Sequence, residues 1–224
     1  MHTELNMNEL RVKVLDLIRR TSCELPEDVH RALREAAERE EKDSIASAVL
    51  HTLLENVDRA AALRYPLCQD TGLPYFRVHS PAGTSLRAVR EAVEHAVRAA
   101  TAEGILRPNA VDSLSGVNSG DNTGTGIPAF RFSEWDAPTL RIACMLKGGG
   151  SENVSAQYSL PDAELFAGRD LQGVARCVVD AVLKAQGKGC APGIIGVGIG
   201  GDRVSGMAMA KEAIVPAAIG VGRP

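Results

Sequence analysis

The chain has 224 residues, 45% of them hydrophobic and 24% charged, with a formal net charge of −3. That length can bury a sizeable core as one large domain or two small ones, and the composition is ordinary for a soluble globular protein. Aromatic residues make up only 4% and no basic run exceeds a pair, which argues against base stacking and leaves no electrostatic footprint for nucleic acid or an acidic membrane.

The opening sequence MHTELNMNELRVKVLDLIRR mixes charges with apolar residues and has no uninterrupted apolar core, unlike a secretory signal. The late apolar stretch AIVPAAIGVG is too short for a bilayer and contains Pro216. A cytoplasmic location with reduced thiols is therefore expected. Five cysteines, odd in number and irregularly spaced, suit that compartment and not a disulfide framework.

In chain order, Leu10, Val14, Leu17 and Ile18 recur at helical spacing after a possible cap at Asn8. A second helix begins near Pro26 and turns Val29, Leu33, Ala36 and Ala37 inward. A third, from Asp43 or Ser44, places Ile45, Val49, Leu53 and Val57 on one face. PLCQDTGLP (66–74) breaks the helical run, and YFRVH alternates like a strand. Thr84 opens a helix with the stripe Leu86, Val89, Val93, Ala96, Val97 and Ala100, stopped at Gly104. Strands are predicted at 128–132 and 139–147, then a helix over 170–187 with Leu171, Val174, Val178, Ala181 and Val182 inward. GIIGVGIG (193–200) reads as a buried strand ending in a glycine-rich turn. The pattern predicts an α/β (mixed α+β) fold: a helical N-terminal segment, 1–62, followed by a mixed-sheet domain, 63–224, with Gly-rich functional loops.

Four segments hold more glycine, cysteine and polar residues than packing requires: PLCQDTGLP, GVNSGDNTGTGIP (116–128), KGGGSEN (147–153) and GKGCAPGIIGVGIGGDR (187–203). Gly148, Gly149 and Gly150 strengthen no regular element, and such a run suits a loop whose backbone N–H groups approach an anion. Cys144 alternates in phase with Leu140, Ile142 and Leu146, and Cys177 lies on a buried helical stripe, so both read as core residues. Cys23 lies between helices without a polar loop. Only Cys68 and Cys190 occupy polar Gly/Pro-rich loops and are candidates for chemistry. Zinc fits poorly, because there is no C-x-x-C or H-E-x-x-H and the five histidines lack ligand spacing. The residues Gly196, Gly198 and Gly201 match a dinucleotide fingerprint, but too little chain follows for the second strand and acid that such a site needs.

The ordered set CQDTG, NSGDNTGTGIP, KGGGSEN and CAPGIIGVGIGG resembles the class I fumarase/L-tartrate dehydratase family of iron–sulfur hydro-lyases, specifically the α subunit or the N-terminal domain of fused members. The resemblance covers roughly residues 10–212. It implies a 4Fe–4S cluster held by three cysteines, with Cys68 and Cys190 at two of the ligand positions and the open iron acting as a Lewis acid on a substrate hydroxyl. It implies that Gln69 and Asp70 contact the hydroxyl or carboxylate end of a C4 hydroxy-dicarboxylate such as malate/fumarate or tartrate. Arg107 in EGILRP would grip a carboxylate through its two-pronged guanidinium. Gly148, Gly149 and Gly150 would line the same pocket with backbone donors. Asn122 and Thr123 would hold either the loop or the substrate, and Asn122 is grouped with the cofactor-binding positions. Cys68 and Cys190 would meet at one pocket mouth.

The third family cysteine and a family histidine lie in a segment that this sequence does not contain, and IVPAAIGVGRP no longer resembles the family. The chain thus reads as a truncated α subunit or an unusual short member, active only with the missing segment and a β subunit, in a homo- or hetero-oligomer. The alternatives are a cluster-free binding or structural subunit of the same fold and, less well supported, a dinucleotide-binding protein.

Overall fold

A computed structural model describes residues 6–189 and 192–215. The elements are α1 (Met7–Cys23), α2 (Glu27–Arg39), α3 (Ile45–Leu63), β1 (Leu73–Ser80), α4 (Leu86–Ala102), β2 (Ala129–Glu134), β3 (Arg141–Lys147), α5 (Gly149–Asn153), α6 (Leu171–Ala185) and α7 (Arg203–Ile214). The fold is mixed α/β, with helices leading into a small mixed sheet. Among the described residues no helix is long and apolar enough to cross a membrane.

Helices α1, α3, α4 and α6 each start where a short polar side chain satisfies free N–H groups, whereas α2 starts at Pro26 without one. Asn6 caps α1, accepting from Asn8 and Glu9 at 3.1 and 3.2 Å, so the cap falls two residues before the Asn8 expected. Ser44 caps α3, Ser85 caps α4 and Asp170 caps α6. Gly104 ends α4 with φ +74°, a conformation that costs glycine little.

The chain divides into two compact units, Met1–Lys147 with Val215–Pro224, and Gly148–Ile214. In the larger unit β1 is central, parallel to β2 and antiparallel to β3. One sheet face carries Phe76, Val78 and Cys144, and these pack with Leu10, Val14 and Ile18 of α1 and with Val89, Val93 and Val97 of α4. The first helix therefore contributes to the core of the sheet. The Arg90 guanidinium covers Phe130 at 4.3 Å from the ring centre, closing the outer edge.

α2 and α3 form a hairpin around Leu33, Ala37 and Leu50. Of the face expected on α3, Val57 is buried and Leu53 half-buried, but Ile45 is 85% and Val49 51% exposed, and Leu50 and Ala60 are buried instead. The stripe is turned by one residue because Leu50 fits against Leu33 and Ala37. On α6, Gly173 and Cys177 are buried while Leu171 and Val182 face outward, against expectation.

The smaller unit corrects a further expectation. Residues 193–199 form no strand, and Ile194, Ile195, Val197 and Ile199 are exposed. The segment instead lies backbone-first against α7: a Cβ on Gly196 would sit 2.0 Å from the Ala210 carbonyl oxygen, and one on Gly198 2.2 Å from that of Gly206. These glycines permit close helix packing. The strand that a dinucleotide fingerprint requires is not there, so that reading fails.

Candidate active site

The PLCQDTGLP loop joins α3 to β1 and is pinned along its length. Leu67 donates its N–H to the Ser22 carbonyl at 2.9 Å, and its own carbonyl accepts from Asn56 Nδ2 at 2.9 Å. Cys68 is reduced and exposed, and its Sγ accepts the Asp70 N–H at 3.4 Å. Gln69 is exposed. Asp70 Oδ1 accepts from the Gly72 N–H at 2.9 Å, a tight turn that Gly72 makes possible with φ +72°.

The chain after α4 runs alongside this loop. The Arg107 N–H donates to Thr71 Oγ1 at 3.0 Å, and Asn109 Nδ2 reaches Asp70 Oδ1 at 2.9 Å. Thr71 is buried, whereas the Arg107 side chain is exposed beside the loop. The backbone at Arg107 is thus held against the loop at Thr71, although 36 residues separate them in sequence.

Asn122 makes that arrangement rigid. It is fully buried with φ +60°, a left-handed conformation that asparagine tolerates better than most residues. Its Oδ1 accepts from the Asn109 and Ala110 N–H groups at 2.9 and 3.2 Å. Its Nδ2 donates to Thr101 Oγ1 at 3.0 Å and to the Arg107 carbonyl at 2.7 Å. All four hydrogen-bonding positions of the amide are occupied by protein, so of the two roles open to Asn122 it holds the loop. Next to it, Thr123 donates both its N–H and its hydroxyl to Asp121 Oδ1 at 2.9 and 2.8 Å. Burial raises the Asp121 carboxyl, but these bonds, with one from Ser119 and the nearby Arg98 charge, hold it below the usual carboxylate range.

Asn109 escapes the sequence reading, and Thr71 enters it only within the CQDTG motif, with no role of its own. Their only signal is a polar residue where the structure needs a buried bond, and the spacing of motifs does not reveal that.

In the smaller unit Gly148 caps the short α5, and a Cβ on Gly150 would lie 2.9 Å from the Lys188 carbonyl oxygen. The glycine run therefore lets two backbones approach. Glu152 pairs with Lys211 of α7 at 2.9 Å. A cavity of about 490 Å³ opens here, lined by Gly150, Asn153, Ser155, Lys184 and Lys188 among others. Cys190 lies outside the described residues, and so does its expected meeting with Cys68.

Of the other described cysteines, Cys144 and Cys177 are buried as expected, and Cys23 is buried too. Burial pushes the Cys144 thiol up to about 12, against a smaller opposing hydrogen bond from Thr21. Such thiols are poor metal ligands. Among the described residues no three His, Cys, Asp or Glu side chains come together as a metal site, so Cys68 is the one cluster-type ligand they offer.

A sequence model of the fumarate hydratase (Fumerase) family matches residues 11–221. A protein of Geobacillus stearothermophilus named a class I fumarate hydratase is 47% identical over 92% of this chain and 41% of its own length. One of Methanocaldococcus jannaschii named an L(+)-tartrate dehydratase subunit alpha is 33% identical over 90% of this chain and 70% of its own. The L(+)-tartrate dehydratase subunit alpha of Escherichia coli K12 is 28% identical over 93% and 68%. The chain thus spans about two fifths of the first relative and about two thirds of the alpha subunits. Matched along almost its whole length, the chain belongs to the class I fumarate hydratase family, which includes the L(+)-tartrate dehydratase alpha subunits.

Proposed function

We propose that this chain is the α subunit, or the N-terminal part, of a hydro-lyase that reversibly dehydrates a C4 hydroxy-dicarboxylate, malate/fumarate or tartrate. The observation that carries the reading is the joined pair of loops, in which Cys68, Gln69 and Asp70 stand beside Arg107 through the bonds of Thr71 and Asn109. Arg107 supplies a planar, permanently charged fork for a substrate carboxylate. Gln69 and Asp70 supply an amide and a carboxyl for the hydroxyl-bearing end. The Gly148–Gly150 run lends backbone donors to the same chemistry. Cys68 and Cys190 are two ligands of a 4Fe–4S cluster whose third ligand comes from another segment. When bound, that cluster supplies a Lewis acid for departure of the hydroxyl. The names of the alpha-subunit relatives support a β subunit as partner.

The test is conversion of malate, fumarate and tartrate by the chain assembled anaerobically with the further family segment, a β subunit, iron and sulfide. Turnover of at least one is expected. Arg107→Leu in that assembly should lower kcat/KM by about 2–4 kcal/mol in transition-state terms, the scale of losing a charge-assisted pair in a closed site. No conversion of any C4 substrate, or an unaltered kcat/KM in Arg107→Leu, would refute the reading.

A further inference from the structure

Asp70 and Asn109 are joined in a way that neither motif explains. Asp70 Oδ1 accepts two hydrogen bonds, from the Gly72 N–H and from Asn109 Nδ2, each at 2.9 Å. Asp70 Oδ2 makes no hydrogen bond among the described residues. Asn109 in turn is fixed from behind, since its own N–H donates to the buried Oδ1 of Asn122 at 2.9 Å. Its Nδ2 also lies 3.4 Å from Thr71 Oγ1, the atom that accepts the Arg107 N–H. A chain of bonds therefore runs from the interior, through one exactly placed amide group, to one oxygen of an exposed carboxylate.

We infer that Asn109 is a positioning residue for Asp70. By holding Oδ1 between two donors it stops rotation of the carboxyl and presents Oδ2 to the ligand. Without Asn109 the Gly72 bond remains, but a single donor lets the carboxyl pivot about it. Arg107 is positioned separately, through its carbonyl on Asn122 and its N–H on Thr71. Loss of the Asn109 amide should therefore disturb the Asp70 end of the site more than the Arg107 end. The second half of the inference, that Oδ2 meets the hydroxyl end of the substrate, rests on the function proposed above.

The test uses Asn109→Asp, which keeps the shape but removes the donor, and Asn109→Ser, which shortens the side chain without adding charge. Amide hydrogen exchange is read in the chain itself. The Gly72 N–H should exchange roughly tenfold faster or more in both variants, because its acceptor is no longer held. The Ala110 N–H, bonded to Asn122 Oδ1, should change by less than about threefold. In the assembled hydro-lyase, kcat should fall by roughly tenfold or more with KM altered less than about threefold. Unchanged Gly72 exchange in both variants, or equal acceleration at Ala110, would overturn the positioning role. Faster Gly72 exchange with an unaltered kcat would overturn its catalytic half. Faster Gly72 exchange in a chain whose assembly converts no C4 substrate would support the positioning and count against the proposed function instead.

Discussion

Asn122 is where a single atom substitution should be felt most. Asn122→Ala leaves the Asn109 and Ala110 N–H groups and the Arg107 carbonyl without the partners they have now, in a site closed to water. Unsatisfied buried groups cost about 1–3 kcal/mol each, partly relieved by relaxation, so a loss of about 2–4 kcal/mol in urea denaturation is expected. Stability within about 0.5 kcal/mol of the parent would show that the loop is held in some other way. Cys144 gives a pH-dependent counterpart. Its thiol is raised from 9.0 to about 12 by burial, so between those values the unfolded chain has lost a proton that the folded one retains. Stability is then full below about pH 9 and falls as pH rises toward 12, by up to about 1.4 kcal/mol per unit. Cys144→Ala should flatten that alkaline limb. A slope that is the same in both proteins would sink the assignment.

At the scale of elements, the sequence revealed helices and strands more readily than the faces they bury. Periodicity marks α3 correctly, yet Ile45, Val49, Leu50, Leu53, Leu54 and Val57 supply two overlapping apolar stripes. The choice between them is made by α2, through Leu33 and Ala37. The 193–199 segment was misread for a different reason. Its alternating glycines and branched residues fit a buried strand, but a strand needs a neighbour to bond with, and close approach to α7 is what the glycines serve. That account is testable by contrast. Gly196→Ala and Gly198→Ala should each destabilise the smaller unit by about 1–3 kcal/mol through overpacking against α7. Gly193→Ala, with nothing within 4 Å of the added carbon, should be nearly neutral. Equal effects at all three positions would mean that backbone freedom, and not contact with α7, is what matters. The candidate loops stand out in the sequence by their reactive residue types, whereas Asn109 makes a bond to Asp70 that only the folded chain brings together.

For the whole molecule, the question is how much chemistry this chain holds by itself. A three-thiolate cluster needs more than the one exposed cysteine described here, because Cys23, Cys144 and Cys177 are buried. A dicarboxylate has two charges, and on the proposed reading Arg107 answers one; leaving the second unpaired in a closed pocket would be costly. Abstraction of a carbon-bound proton needs a positioned base, worth roughly 10²–10⁴ in rate, and among the described residues no histidine shares a hydrogen bond with Cys68, Asp70 or Arg107. Apolar side chains also remain exposed on two helices, with Ile45 and Val49 on α3 and Leu171, Val179 and Leu183 on α6, as expected of surfaces that other parts of an assembly cover. The fumarate hydratase relative is more than twice as long as the stretch this chain matches. The chain treated anaerobically with iron and sulfide should therefore leave malate, fumarate and tartrate unchanged, and turnover should appear only when a β subunit and the further family segment are supplied. Conversion by the chain on its own would show that it contains its own base and third ligand, and would overturn this reading.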